Sequence, residues 1–179
     1  TLGCASVICS DKTGTLTQNK ITVVDVWTLR DGERPMALTI GALCNDTVLT
    51  YGEDKSPKTA GDPTETAFVD IACKEGIDKN ELEKTMPREA ELPFDSERKM
   101  MSTIHPLAAG GYRVMVKGAP DVLLGRCLVS KEDADRVLTQ NSEMAGGALR
   151  VLGVAYKDIP SIPAELTSED LENGLTFVG

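Results

Sequence analysis

The sequence predicts an α+β fold in which a twisted antiparallel sheet is flanked by helices. Two β-branched segments, residues 100–104 and 112–117, flank the pair Gly110-Gly111, which is typical of a β-hairpin. Residues 62–65 (DPTE) place an acid, a proline and a second carboxylate at the N-cap, first and third positions of a helix. Hairpin-like strands mixed with helices favour an antiparallel sheet over strict βαβ alternation.

The first third of the chain predicts two strands, two loops and a helix. Residues 5–10 are short and apolar, as in a buried strand, and residues 11–19 form a polar loop with a glycine. The β-branched and aromatic run at 21–29 predicts a second strand. Apolar residues 36–44 predict a helix, and the Gly-, Lys-, Pro- and Asp-rich stretch at 50–62 predicts a surface loop.

The remainder predicts helices on both sides of the hairpin. The helix that opens at Asp62 ends at Gly76, where a glycine can close it. Three helical segments and two strands complete the pattern: a short charged helix at 79–85, helices at 120–127 and 133–144, and strands at 149–157 and 175–178.

Composition and charge exclude several classes of function. The chain has 179 residues, 41% of them hydrophobic, as expected of a globular domain. Its net charge of -9 disfavours binding to a nucleic-acid backbone, which needs a basic surface, but permits a single nucleotide. Five dispersed cysteines indicate reduced thiols, and no apolar run approaches the roughly 18 residues of a membrane span. We expect a soluble monomer cut from a longer protein.

Asp11 is the first candidate for chemistry. A carboxylate between a strand and a glycine-containing loop lies where open α/β sheets bind ligands, and it can attack the γ-phosphate of ATP. Lys12 supplies a cation, and Thr13 and Thr15 supply hydroxyls. Mg²⁺ would bind Asp11 with further oxygens. The alternative is an Asx-turn after a strand.

Residues 11–17, DKTGTLT, are identical to the phosphorylation motif of the P-type ATPases, which the chain resembles. The flanking GCASVIC and QNKITV are most similar to the branch that pumps Ca²⁺ and related cations. The resemblance implies that Asp11 is phosphorylated, that Thr15 contacts the phosphate, and that the backbone carbonyl of Thr13 helps to hold Mg²⁺.

Two further motifs resemble the adenine site of the same family. GDPTETA, residues 61–67, is similar to the box whose glutamate, here Glu65, reaches the adenine amino group. PFDSERK, residues 93–99, is similar to the segment whose phenylalanine, here Phe94, stacks on adenine, and its lysine is Lys99. This segment departs from the family at Ser96, where a phosphate-contacting arginine is common; Arg98 is the candidate substitute.

Two last motifs complete the resemblance, which covers nearly the whole chain. KGAP, residues 117–120, matches the family's signature, in which Lys117 ends a strand and Gly118 lets the purine approach the backbone. Arg150 matches an arginine that binds ribose or phosphate. Each residue also has a plain structural alternative: capping for Glu65, core packing for Phe94, and a solvated surface position for Lys117 and Arg150.

The resemblance implies a division into three parts. Residues 1–20 would be the start of a Rossmann-like phosphorylation domain, residues 21–173 the nucleotide-binding domain, and residues 174–179 the return to the phosphorylation domain. The family's T-G-D and G-D-G-x-N-D motifs and its membrane helices do not occur in the sequence. We therefore expect this piece of a membrane-bound pump's cytoplasmic part to bind ATP without turning it over.

Two other functions remain open from the residues. A haloacid dehalogenase-type phosphohydrolase uses the same nucleophilic aspartate, but it needs further catalytic residues on alternating βα units. A non-catalytic interaction module would keep the sheet and lose the nucleotide. The intact Glu65, Phe94, Lys117 and Arg150 weigh against that second alternative.

Overall fold

The computed structural model describes residues 20–179, which form six helices and seven strands. The predicted strand at 5–10 and the loop at 11–19 lie outside this range. The helices are α1 (Arg34–Leu43), α2 (Pro63–Lys74), α3 (Lys79–Thr85), α4 (Pro120–Leu124), α5 (Lys131–Gly146) and α6 (Ser168–Leu171). The strands are β1 (Val48–Tyr51), β2 (Pro57–Ala60), β3 (Ala90–Asp95), β4 (Met100–Pro106), β5 (Tyr112–Gly118), β6 (Gly153–Ile159) and β7 (Thr176–Phe177).

The five strands β3 to β7 form one antiparallel sheet in chain order, and β1 and β2 form a separate hairpin. In the large sheet Asp95 lies opposite Met100, Met100 opposite Gly118, and Gly118 opposite Gly153. These positions form a row across four neighbouring strands at one end of the sheet. The predicted α+β fold with an antiparallel sheet is confirmed.

Helices cover both faces of this sheet. Because side chains alternate along a strand, Ile104 and Val116 pack on one face with Leu123 of α4, whereas Met101 packs on the other face with Ile40 of α1. All five are at most 1% exposed, and each such apolar side chain stabilises the fold by about 1.5–3 kcal/mol relative to an exposed one. The sheet is therefore the middle of three layers.

Two predicted elements are wrong. Within the described residues 20–179, the stretch 21–29 forms no strand, and the one ladder-like bond that it makes there runs from the Leu29 amide to the Val178 carbonyl, at 2.8 Å. A β-branched sequence suits a pleated surface, but it becomes a strand only where an edge is available to pair with it. Residues 50–62 are not a loop throughout, because β1 and β2 pair there. Most side chains of this hairpin are exposed, so its sequence lacks the alternation of apolar and polar residues that predicts strands.

Two elements escaped prediction. Strand β3 contains Pro93, which normally argues against a strand, but β3 is an edge strand whose register shifts between Leu92 and Asp95. Helix α6 has only four residues and opens with Thr167, whose hydroxyl accepts from the Asp170 amide. The other predicted helices and strands are confirmed within a few residues, and α3 matches residue for residue.

Candidate functional site

The N-terminus of α2 forms as its sequence predicts. The Asp62 carboxylate accepts a hydrogen bond of 2.8 Å from the Thr64 amide, and Pro63 occupies the first helical position. Burial acts to raise the pKa of Asp62, but the hydrogen bonds from Thr64 and the Glu65 amide outweigh it, so the pKa lies below its ordinary value. The Thr64 hydroxyl also accepts a 3.1 Å bond from the exposed Arg150, which ties the loop before β6 to this helix.

Glu65 projects from the first turn of α2 toward the sheet. Its Oε1 accepts a bond of 2.8 Å from Lys117 Nζ, and its Oε2 accepts one of 3.0 Å from the Asp46 amide. In the described part of the chain, neither oxygen bonds to the Asp62 amide, as a capping box would require. The negative charge at the helix start still favours the helix dipole. Glu65 is therefore held by long-range contacts, and helix capping alone does not account for its position.

Lys117 is not a solvated surface lysine. Its side chain is only 8% exposed, and its ammonium pairs with Glu65 and lies 5.7 Å from the centre of the Phe68 ring. The aliphatic stem lies on the α1 side of β5, next to the buried Met115. Lys117 and Glu65 therefore form a shielded ion pair beside the apolar side chains of Phe68 and Met115.

Phe94 is not a core residue. It lies near the end of β3, within the register shift between Leu92 and Asp95, and is 64% exposed, although an aromatic ring of this size is normally mostly buried. Lys99, at the other end of the same turn, is exposed and has a left-handed backbone with φ of 53°. The 94–99 turn therefore presents an aromatic face and a cation to solvent.

Gly118 is required by packing as well as by its place in the motif. A Cβ on this residue would lie 2.6 Å from Met100 Cγ and 2.7 Å from the Lys99 carbonyl oxygen. The next residue, Ala119, donates its amide to that same carbonyl at 3.1 Å. The close approach thus joins the end of β5 to the 94–99 turn, whatever binds there.

Arg98 does not stand free to replace the arginine that is missing at Ser96. Its guanidinium pairs with the fully buried Glu172 and donates a 2.6 Å hydrogen bond to the Pro93 carbonyl. Both bonds direct it into the protein. The guanidinium is thus engaged by groups of the protein itself, which disfavours Arg98 for the phosphate contact.

The structure brings the predicted nucleotide residues to one end of the sheet. Lys117 and Gly118 end β5, Lys99 precedes β4, Phe94 lies beside Asp95 in the row across the strands, and Arg150 lies three residues before β6. Glu65 reaches this end through Lys117. The predicted catalytic and Mg²⁺ residues, Asp11, Lys12, Thr13 and Thr15, lie outside the described residues.

The sequence did not identify Asn45 as a residue of the site, although its side chain holds the backbone at Glu65 in place. Its buried side-chain amide donates to the Gly41 carbonyl at 3.0 Å and to the Glu65 carbonyl at 2.9 Å, so it links α1 to the start of α2. It also orders the turn whose next amide, Asp46, binds Glu65. The one available signal was an Asn-Asp pair directly after an apolar helix.

An apolar cavity of about 190 Å³ lies between the 21–27 segment, α2, α5 and the loop before β6. Thr64 and Arg150 line it, but Glu65, Phe94 and Lys117 do not. It is therefore not the predicted adenine site. Over residues 20–179 there is no group of three acidic, histidine or cysteine side chains that could hold a metal ion, and no helix is long and apolar enough to cross a membrane.

Comparison with known proteins agrees with this geometry. A family model described as "P-type ATPase, cytoplasmic domain N" matches residues 35–179. The chain is 39% identical over 203 residues to a calcium-transporting ATPase of Listeria monocytogenes and 40% identical over 199 residues to calcium-transporting ATPase 1 of Lactococcus lactis. A calcium-transporting ATPase of Bacillus subtilis is 37% identical over 217 residues. Each match takes in 100% of this chain but 22%, 22% and 24% of the respective relative, so the chain spans less than a quarter of their length.

Proposed function

The chain belongs to the family of P-type ATPase cytoplasmic N domains, and from this premise we propose that it binds ATP at the end of the sheet formed by β3, β4, β5 and β6. One observation carries the proposal. The exposed aromatic ring of Phe94 and the shielded Lys117–Glu65 pair lie at the same end of one sheet, where apolar and polar recognition can act on one ligand.

The adenine is the part of ATP that these residues suit. Phe94 offers a face for stacking, which contributes about 1–3 kcal/mol per base in related cases. The Glu65 carboxylate has unused lone pairs beyond its bonds to Lys117 and Asp46, so it can accept from the adenine amino group. Gly118 adds a stretch of backbone without a side chain.

The phosphates and ribose need positive charge, which a chain of net charge -9 must supply locally. Lys99 and Arg150 are exposed cations at this end of the sheet. Arg98 is less suited to this role, because its guanidinium is engaged by Glu172. We therefore assign the triphosphate side of the site to Lys99 and Arg150.

In the parent protein, the bound ATP would serve phosphorylation of Asp11. A carboxylate oxygen of Asp11 attacks the γ-phosphorus, the bond to the β,γ-bridging oxygen breaks, and ADP leaves. Lys12 and Thr15 would contact the transferred phosphoryl group. Mg²⁺, held by the Asp11 carboxylate and the Thr13 carbonyl together with groups elsewhere in the parent, would neutralise phosphate charge.

The parent would be a cation pump, with Ca²⁺ as the proposed ion because the relatives carry that name. This chain would be part of its cytoplasmic portion, with the phosphorylation, actuator and membrane domains as partners. The division at residues 1–20, 21–173 and 174–179 is part of this proposal; within the last segment, β7 pairs with β6 of the large sheet.

Two measurements test the function. Calorimetric titration of the fragment with ATP, with and without Mg²⁺, should show one saturable site. If ATP up to 10 mM (roughly the affinity scale of a 2.7 kcal/mol interaction) releases no heat and does not compete with ADP, the proposal of ATP binding is refuted. Incubation with γ-labelled ATP and Mg²⁺ should leave no acid-stable phosphoprotein. A labelled Asp11 adduct would refute the proposal that the fragment does not turn over.

The same titration addresses the remaining alternatives. A non-catalytic interaction module predicts no ATP binding by the wild-type chain. A haloacid dehalogenase-type enzyme predicts alternating βα units, but all paired strands within residues 20–179 are antiparallel. The geometry therefore favours the ATP-binding domain over the dehalogenase-type enzyme, and the titration distinguishes it from the interaction module.

A further inference from the structure

The 94–99 turn is poorly anchored by its own hydrogen bonds. Asp95 accepts from the Glu97 and Arg98 amides at 2.8 and 3.0 Å, and its carbonyl accepts from the Lys99 amide at 2.7 Å. These bonds close the turn on itself. They do not fix how the turn, and the exposed Phe94 ring within it, stands relative to the sheet.

Arg98 supplies an anchor to the body of the domain. One of its terminal nitrogens donates to the Pro93 carbonyl, directly before Phe94, and the other pairs with Glu172. Because a guanidinium is rigid and planar, one group that bonds both partners restricts where the backbone at Pro93 can lie.

Glu172 is itself fixed from several sides. Its side chain is fully buried, Oε1 also accepts from the Ser102 hydroxyl of β4 at 3.1 Å, and Oε2 accepts from the Ser168 hydroxyl. The backbone amide of Glu172, directly after α6, donates to the carbonyl of Ser168, the first residue of that helix. A buried carboxylate with every oxygen engaged is a fixed point of the structure rather than a mobile surface acid.

We propose that Glu172 is a positioning residue for the nucleotide: through Arg98 it holds the Pro93 backbone so that Phe94 faces the adenine ring. This inference rests on the proposed ATP site and deepens it, because it assigns part of the affinity to a residue that touches no ligand. Glu172 lies in the segment that leads to β7, three residues before Leu175, which forms a β-bridge with Cys127.

The test is titration of Glu172→Gln with ATP, followed by proton NMR of the adenine signals. Glutamine keeps the shape and can still bond Ser102 or Ser168, but it removes the charge that Arg98 needs. We expect the ATP Kd to rise about 3- to 10-fold, since only part of the stacking contribution of Phe94 is lost. We also expect a smaller upfield ring-current shift of adenine H2 and H8 at saturation.

The bound-state shift separates positioning from mere stability, because it is read on the folded, saturated protein. Asp158→Asn is the matched control: it breaks the bidentate Arg113–Asp158 pair near the other end of β5 and β6 and should leave the Kd and the adenine shift unchanged. An unchanged Kd and shift in Glu172→Gln would overturn the proposal. Wild-type protein that fails to bind ATP would instead refute the proposed function.

Arg98→Lys gives a second reading if Glu172→Gln fails to fold. Lysine keeps a positive charge beside Glu172 but cannot bond Pro93 and Glu172 with the same rigid geometry. The fold should persist while the adenine shift falls. A lysine variant with wild-type Kd and wild-type adenine shift would contradict the role of the Arg98 bridge.

Discussion

Lys117 Nζ lies 2.8 Å from Glu65 Oε1, and the two side chains are only 8% and 18% exposed. The pair joins the end of β5 to the first turn of α2 across 52 residues of sequence. Because the Glu65 carboxylate is held in place by Lys117 and the Asp46 amide, it is oriented before any ligand arrives. Such preorganisation favours selective recognition over adaptable binding.

Glu65→Gln should therefore reduce discrimination between ATP and GTP. A carboxylate accepts from the adenine amino group and repels the guanine carbonyl oxygen, whereas an amide can bond either. We expect the ratio of the GTP to the ATP Kd to fall about tenfold, as for one hydrogen bond to a charged group. Glu75→Gln, which breaks an ion pair with Arg34 at the other end of α2, is the control. An unchanged ratio in the Glu65 variant would show that Glu65 does not read the base.

Phe94→Ala should weaken ATP binding without weakening the fold. Loss of stacking by about 1–3 kcal/mol corresponds to a Kd roughly 5- to 150-fold higher. Because the ring is 64% exposed, the free energy of unfolding in urea should change by less than about 0.5 kcal/mol. Leu128→Ala removes another exposed apolar side chain, 80% exposed, and should change neither quantity. Equal ATP affinities of Phe94→Ala and wild type would exclude stacking.

Gly118→Ala should lower the free energy of unfolding by about 1–3 kcal/mol, because the added methyl group would overlap Met100 and the Lys99 carbonyl. Urea unfolding measures this. Gly146→Ala is the matched substitution at the end of α5, where nothing lies within 4 Å of the added carbon, and it should be neutral or stabilising by up to about 1 kcal/mol. Equal stability of the two variants would mean that the close approach at Gly118 relaxes freely.

The stability of the domain should fall as the pH is lowered from 6.5. His105 is buried with Nδ1 2.9 Å from the Met86 carbonyl and Nε2 2.9 Å from the Thr103 hydroxyl, which suits a neutral ring protonated on Nδ1. Burial lowers the pKa of His105 below its ordinary 6.5, and the bond to Met86 only partly opposes this. The unfolded chain therefore takes up the proton first, so stability is complete above pH 6.5 and declines from there toward the folded-state pKa.

Urea unfolding at pH 7.5, 6.5 and 5.5 measures this decline. His105→Gln should remove most of the slope over that range, because most carboxylates titrate at lower pH. The substitution will also cost stability at pH 7.5, so the slope and not the level is the relevant quantity. The same slope in the variant and the wild type would assign the pH dependence to another group.

Local signals in the sequence predicted most of the helices and strands, but not the contacts between residues that are distant in the chain. The cap of α2 and the glycine turn between β4 and β5 are local signals, and each lies where it was expected. The pair between Arg98 and Glu172 joins residues 74 positions apart. No local period encodes such a contact, and Glu172 is one acid among several in its segment.

The errors in the fold have the same cause. The run at 21–29 has the composition of a strand, yet whether it pairs depends on an edge supplied from elsewhere in the protein. Strand β3 contains a proline that an interior strand would reject, and its edge position makes it acceptable. In both places tertiary context decides the outcome against local propensity.

Amide-resolved NMR titration with ATP is the decisive test of ATP binding at the end of the sheet that carries Phe94 and the Lys117–Glu65 pair. We expect saturable shifts clustered at the following residues: Glu65, Phe94, Lys99, Lys117, Gly118 and the loop containing Arg150. These shifts should weaken sharply in Phe94→Ala. Shifts that cluster instead around the apolar cavity beside α5, or no shifts at millimolar ATP, would refute ATP binding at this end of the sheet.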